Sequence, residues 1–580
     1  MNLFKSFCLR ILPAVRILFM GIWLCNLSYT DAYFSVYVLL AFISFYLVVS
    51  GRVIPEAGFK IGRWFLSAFF SAAVLLANYS LFTTLGDPAL IGRSTSILVN
   101  IINGVFTLVG GFCVFNSIFS YVFRTFPVSV AKSTSLRKYV PFAVFISIVF
   151  FHLIHLFLVE YPGNLTEDSF TQISEILSGS YSNFNTFWHT MILRTVLSAG
   201  YSIFSEVNAS VALYSVLQVL LMAGAFTYCL VTMNSFGIPR WILCVSWLIY
   251  TLVPYNMALS ITVWKDVLFA AATLLFLTSW IRIMKGIGSC QIVNYIIFVL
   301  GSLLYFFSRT NGWLIYLVSF LIILVPLRQK KVFLCTMGSL AVLGWFLLNP
   351  MLSVLNVTDD DPVESLSIPI QQVSRVIADG CALSEDDVQL LSAVVDLDEV
   401  PALYQEWISD PMKVEIRSKN YEYFLEHMPE YRQLWMRLGL KYPWEYVKAW
   451  VDQTKGYWNA GYDYFLYAET ITDNPYGVEK TGGSNPIASL FRLYFGLSRH
   501  VIFFEPLHSI GLHIWIVMLC FLLNLIRRKD EWVLSVPLLL LVVGLWFGTP
   551  VYSCFRYVYP IFVCFPLIVS TSLYSVKNDI

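Results

Sequence analysis

Between residues 160 and 208 the chain reads EYPGNLTEDSFTQISEILSGSYSNFNTFWHTMILRTVLSAG and onward, a polar stretch held between strongly apolar ones. It carries five acids, Glu160, Glu167, Asp168, Glu175 and Glu206, with one Gln172, one His189 and one Arg194. A carboxylate near lipid is partly desolvated, which lifts its pKa toward the range useful for accepting a proton. Asp168 is the first candidate for that work. It follows the Pro162-Gly163 turn and stands at the start of an amphipathic helical pattern, where Asp is also favoured simply as an N-cap. The two roles are compatible, and Glu167 is the rival carboxylate. His189 could carry a second proton or hold a metal, against the plainer expectation of a structural hydrogen bond. Arg194 is expected to orient a loop carboxylate.

Two short amphipathic patterns position these groups. Phe170, Ile173, Ile176 and Leu177 mark the first; Phe187, Met191, Ile192 and Val196, with Leu197 alongside, mark the second. Neither is long enough to span a bilayer, so each is expected to lie in its interface plane. Four further bases stand near the ends of apolar runs on the same side as this loop: Arg93, Lys265, Arg309 and Arg556. Charges at a membrane edge are costly and default to a functional reading.

The chain that must hold them is 58% hydrophobic and only 13% charged over 580 residues, with a mean hydropathy of +0.71. Average soluble domains carry about a quarter charged residues, so lipid must solvate most of this one. A net charge of +1 excludes the basic footprint that nucleic acid requires. The 11 cysteines form no CxxC pair and read as neither a disulfide framework nor a metal cluster. The sequence therefore predicts an all-α polytopic membrane protein.

A hydrocarbon core about 30 Å thick needs ~20 apolar helical residues. About 14 spans are expected, centred near Phe19, Leu40, Ala73, Leu108, Ile148, Leu220, Ser246, Ala272, Phe298, Ser319, Leu340, Met518, Leu540 and Val563. With both termini on one side, that side receives 19 of the 37 Lys and Arg residues, including Arg52, Lys132, Arg137, Lys138, Lys285, Arg527 and Lys577, against four acids, Glu56, Asp530, Glu531 and Asp579. By the positive-inside rule that side is cytoplasmic. The same parity places residues 350–505 outside. This segment holds 24 acids and 12 bases. Its helix signals are Gly380 closing a run from Ile368, a Ser384–Asp387 capping box, and Pro429 opening a helix through Leu440. The expected divisions are a four-span extension at 1–136, a seven-span module at 137–349 containing the loop 160–208, an extracytoplasmic helical domain at 350–505, and three spans at 506–580.

The string Y-P-G-x-x-x-x-D-S-x-x-Q, then S-G-x-Y-S and a His-Thr pair, resembles the first external loop of GT-C membrane glycosyltransferases. The closest resemblance is to bacterial members of uncharacterised function with a large outward domain. V-W-K-D at 263–266, S-R-T-N-G at 308–312, I-P-I-Q-Q-V-S-R-V at 368–376 and F-R-Y-V-Y-P at 555–560 add to it. The likeness covers residues 137–349 and, with the last strings, most of the chain. Two departures stand out: four spans precede the module, and an E-D pair occupies the place of a single Asp. The resemblance implies a GT-C-like bundle in the plasma membrane that moves a sugar, with inversion, from a polyprenyl-phosphate donor to an envelope glycan or glycolipid at the outer face. Asp168 would be the general base, supported by Glu167, Gln172, His189 and Arg194. Lys265, Arg309 and Arg556 would hold the donor phosphate, with Asp266 and Asn311 in the same strings. Lys265 could instead pair with adjacent Asp266 or snorkel.

No His, Asp or Glu spacing matches a dedicated metal site, although Asp266 could join Asp168 at a divalent cation. The aromatic run Trp444, Tyr446, Trp450, Tyr457, Trp458, Tyr462, Tyr464, Phe465 and Tyr467 fits an interfacial belt or a domain core better than a sugar-stacking surface. Two other classes compete with the transferase. A flippase or transporter for lipid-linked saccharides would show inverted repeats and helices broken near mid-bilayer. A polysaccharide polymerase or ligase would share the outward loop and lipid donor.

Overall fold

Apolar runs that exclude water leave the backbone one way to satisfy its hydrogen bonds within a single segment, and the chain takes it. The computed structural model describes residues 2–28, 34–52, 60–83, 97–125, 129–131, 139–288, 290–461, 471–501 and 504–576. Arg93, Tyr462, Tyr464, Phe465 and Tyr467 lie outside these, as do Glu56, Lys132, Arg137, Lys138, Lys577 and Asp579 from the charge count.

The N-terminal helices are α1 (Asn2–Leu27), α2 (Phe34–Val49), α3 (Lys60–Ala77) and α4 (Ile97–Thr125). Then follow α5 (Val140–Leu158), the two loop helices α6 (Glu167–Ser178) and α7 (Phe187–Phe204), and α8 (Val207–Ser235). The apolar series continues through α9 (Arg240–Leu252), α10 (Lys265–Lys285), α11 (Gln291–Ser308), α12 (Gly312–Leu324) and α13 (Lys331–Leu348). The polar segment forms α14 (Ser367–Ala378), α15 (Glu385–Ser392), α16 (Asp410–Ser418), α17 (Tyr421–Glu426), α18 (Met428–Lys441) and α19 (Pro443–Thr454). Helices α20 (Pro486–His500), α21 (Ile510–Ile526), α22 (Val536–Gly548) and α23 (Phe555–Leu573) complete the chain, with short helical turns between.

All fourteen predicted centres fall in helices. Among the described residues, eight helices are long and apolar enough to cross a membrane, and six more apolar helices are shorter, at 10–17 residues. Proline shortens several of them. Pro13 interrupts α1, Pro239 and Pro254 bracket α9, and Pro326 follows α12. One departure from an all-α chain is the parallel pairing of β1 (Ser129–Ala131) with β2 (Tyr574–Val576), three residues each.

Helix α10 is the hub. Its span is 83% buried, so it is apolar on every side except at its ends. It packs against α8, α11 and α23. Asp266 lies in its first turn and Arg282 with Lys285 in its last, each sign matching the helix dipole. The N-terminal helices build a separate apolar cluster around Trp23, Val36, Phe70 and Phe115, joined to α21 through Trp515. The polar segment has its own cluster, from Val363 to Tyr446. Its local signals appear as expected: α14 stops before Gly380 at positive φ, Ser384 and Asp387 cap α15 reciprocally, and α18 spans the stretch opened near Pro429.

Candidate functional site

The loop after α5 turns sharply. Gly163 takes a φ of +128° and its backbone N–H donates to Glu160 at 2.6 Å. A Cβ there would fall 2.4 Å from the Ser215 hydroxyl and 2.8 Å from the Ile261 carbonyl, so only glycine fits. The turn leads into α6, whose N-cap is Thr166 rather than Asp168. Ser169 Oγ accepts from the Thr166 backbone N–H at 3.2 Å and donates to the Val263 carbonyl at 2.8 Å, tying the helix start to the chain just before α10. With capping assigned to Thr166 and Ser169, the Asp168 carboxylate is left available for other contacts.

That carboxylate accepts a hydrogen bond from Arg556, 388 residues later at the start of α23, and the two form an ion pair. Burial pushes the Asp168 carboxyl up, but Arg556 and Lys265 more than offset it and hold it below the ordinary carboxylate value. The upward shift expected from the sequence is therefore corrected. Desolvation is present, and two nearby cations outweigh it.

Asp266 is buried between two guanidinium groups, 3.6 Å from Arg309 Nη1 and 4.0 Å from Arg556 Nε. Its Oδ2 accepts no hydrogen bond. Arg309 donates to the Tyr557 carbonyl at 3.2 Å and lies over the Phe269 and Tyr557 rings. Arg556 lies over Trp264 and Tyr557. Lys265 does not pair with Asp266 next door. Adjacent helical residues point about 100° apart, and Lys265 Nζ reaches across to the Phe184 carbonyl at 2.7 Å and Asn185 Oδ1 at 3.1 Å. All three cations stand at one end of the bundle: Lys265 and Arg556 open α10 and α23, and Arg309 caps the end of α11.

The remaining predicted residues separate into support and periphery. His189 is fully buried and engaged at both ring nitrogens, by the Gln172 amide at 2.9–3.0 Å and the Tyr214 hydroxyl at 2.9 Å. Burial, with Lys265 nearby, pushes its pKa down to about 3. It is a neutral cross-brace between α6, α7 and α8, not a proton carrier. Gln172 also donates to the Asn185 carbonyl at 3.1 Å and the Thr190 hydroxyl at 2.9 Å. Glu175 accepts from the Ser182 hydroxyl at 2.5 Å and shapes the loop. Glu167 is exposed at the first position of α6, and Asn311 is exposed at the start of α12. Arg194 is exposed as well and donates to the Tyr181 hydroxyl at 3.0 Å, so the expected loop carboxylate is not its partner.

Several contributors escaped the sequence reading. Trp264, Tyr557 and Asn185 contact the cations directly, and the first two stand beside charged residues already singled out. Asp360 was less visible. The backbone at 357–358 pairs with the loop, with Thr358 donating to Tyr181 at 3.0 Å and Asn183 donating to Thr358 at 2.9 Å. This strap brings Asp360 into the electrostatic reach of Lys265, while burial pushes the Asp360 carboxyl up. Among the described aromatics, Tyr446, Tyr457 and Trp458 are buried, and Trp450 stacks on Trp458, as a packed core requires. No group of three or more His, Cys, Asp and Glu among the described residues could hold a metal ion.

A family model matches residues 176–579, more than two thirds of the chain. The chain belongs to the DUF6020 family. This is described as a family of unknown function, and its matched region includes Lys265, Asp266, Arg309 and Arg556, while Asp168 stands just ahead of it. No curated protein and no solved structure matches the chain.

Proposed function

We propose that this member of the DUF6020 family is an integral membrane glycosyltransferase of GT-C type, moving a sugar from a polyprenyl-phosphate donor to a hydroxyl of an envelope glycan or glycolipid. The observation that carries the reading is the meeting of Asp168 with Arg556, Lys265, Asp266 and Arg309 at one end of an apolar helix bundle. A base and an anion site in contact are what phosphoryl-linked sugar transfer requires. On this reading the six shorter apolar helices also span, giving fourteen in all. Both termini are then cytoplasmic, the plasma membrane is the host, and residues 350–505 lie outside.

In the proposed reaction, Asp168 takes the proton of the acceptor hydroxyl as that oxygen bonds to the anomeric carbon. The bond from that carbon to the phosphate oxygen breaks, its electrons stay on the phosphate, and the configuration inverts. Arg309 and Arg556 offer planar forks and Lys265 a point charge to the departing anion. Asp266 sits within salt-bridge range of both arginines without a close hydrogen bond to either, so it balances charge and leaves donors for phosphate. An arriving phosphate competes with Asp168 for Arg556. Asp168 rides on a loop helix and can yield, whereas Asp266 is fixed in the buried hub. Donor binding thus frees the base and raises its proton affinity when it is needed.

The test is to mix purified protein with a polyprenyl-phosphate sugar and candidate acceptors and measure free polyprenyl phosphate. A transferase releases it; a flippase leaves the donor intact. Asp168→Asn should abolish release while donor binding persists, and undiminished turnover in that variant would refute the assignment.

A further inference from the structure

Helices α14 to α18 line a half-open cavity of about 260 Å³. Its wall is apolar, built by Ile370, Val394, Met412, Phe424 and Leu434 among others. Two of the polar side chains around it are already engaged. The Tyr431 hydroxyl donates to the Leu390 carbonyl at 2.8 Å, and Trp435 Nε1 donates to Gln372 Oε1 at 2.8 Å. That leaves the Ser374 hydroxyl and, at the exposed edge, Arg432, too few groups to hold water throughout a hollow of this size, since each buried water needs two to four polar partners. A sugar would leave still more of its groups unpaired. Protein interiors pack as densely as organic crystals, so a hollow of this size at the centre of a small helical unit calls for an apolar occupant.

One cation lines the same cavity. Arg432 on α18 is exposed and makes no ion pair among the described residues, although acids outnumber bases two to one in residues 350–505. Its neighbours on the helix are occupied: Arg437 pairs with Asp387, and Lys441 donates to the Ala382 carbonyl at 2.8 Å. An apolar hollow with an unpaired guanidinium at its wall matches an amphiphile, chain inward and acidic head at the arginine.

We propose that the helical unit at residues 350–505 binds one membrane lipid by a single aliphatic chain, with its carboxylate or phosphate head on Arg432. The site is separate from the Asp168 cluster, and its existence does not depend on the glycosyltransferase reading.

The experiment uses the full chain in nanodiscs with photoreactive probes sharing one diazirine-bearing alkyl chain: a fatty acid, a monoalkyl phosphate and the uncharged methyl ester. Irradiation followed by peptide mapping should place label within residues 366–435 for at least one acidic probe, and the two acidic arms identify the preferred head. Arg432→Gln, at an exposed position, should weaken that labelling by about tenfold, the loss expected for one charge-assisted hydrogen bond. Val394→Trp fills the hollow and should abolish it; if that variant does not fold, excess unlabelled acid should compete the label away from the native protein. Label confined to the apolar helices overturns the proposal and marks the cavity as a dry void. Labelling of 366–435 that persists in Val394→Trp, resists competition, or is matched by the ester overturns it equally.

Discussion

Asp168 feels two opposed influences, burial raising its carboxyl and the charges of Arg556 and Lys265 lowering it, and the cations win. Because the folded value lies below the ordinary one, the carboxylate's stabilising contribution is complete above the ordinary value and is lost as pH falls through the lowered one. On the proposed glycosyltransferase reading, the acid limb of the kcat/KM profile should accordingly lie below the usual carboxylate range. Arg556→Gln removes the larger of the two cationic influences and leaves burial less opposed. Residual activity in that variant should show its acid limb displaced toward neutrality, read from kcat/KM against pH. His189 supplies the contrasting case. Held near a pKa of about 3 and bonded on both nitrogens, it should put no inflection near 6.5 into either profile. Replacing it by Phe leaves Gln172 and Tyr214 without their partner. The expected cost is about 1–3 kcal/mol of stability, seen as a lower unfolding midpoint with the pH profile unmoved.

At the scale of elements, the position of Asp168, the proposed base, depends on a turn and a helix start rather than on the acid itself. Gly163 lets the chain pass between Ser215 and Ile261, and Ser169 then fastens α6 to the Val263 carbonyl ahead of α10. Gly163→Ala adds a methyl where there is no room at a backbone conformation that disfavours it. It should displace α6 and with it Asp168, leaving Lys265 and Arg309 in place. If the chain is the proposed transferase, transfer should fall by at least tenfold while donor binding changes little, measured as a kcat loss beside an unchanged dissociation constant for the proposed lipid donor. The amphipathic patterns of both loop helices were legible because a buried stripe repeats with the helical period. The cap at Thr166 was not, since Thr-x-x-Ser lacks the Glu or Gln that marks the usual capping box.

Across the whole molecule, the helical unit is fastened to the N-terminal helices by a buried ion network. Arg375 on α14 pairs with Asp452 at 2.7 Å, and lies 3.4 Å from both Glu445 and Asp379. Tyr79, just beyond α3, donates to the same Asp452 at 2.6 Å. Removing the cation leaves Asp452 to Lys455 alone and Glu445 and Asp379 to share Lys448. Because each carboxylate keeps one lysine, Arg375→Met should cost about 1–3 kcal/mol, less than an orphaned buried charge would, reported by earlier denaturant unfolding and by faster proteolysis within residues 350–460.

Composition and periodicity by themselves determined that this chain is helical with helices apolar enough to cross a membrane, where those helices fall, and that the loop at 160–208 carries two short amphipathic ones. Those features are local, because lipid solvation and helix formation act on consecutive residues. Which charges meet was decided only by the tertiary structure. Asp168 and Arg556 stand 388 residues apart in the sequence, Lys265 turns to the loop while its neighbour Asp266 turns to Arg309, and the strap at 357–358 carries Asp360 to their edge. Such pairings depend on how α10, α11 and α23 pack side by side, and packing between distant helices leaves no periodic trace in any of them.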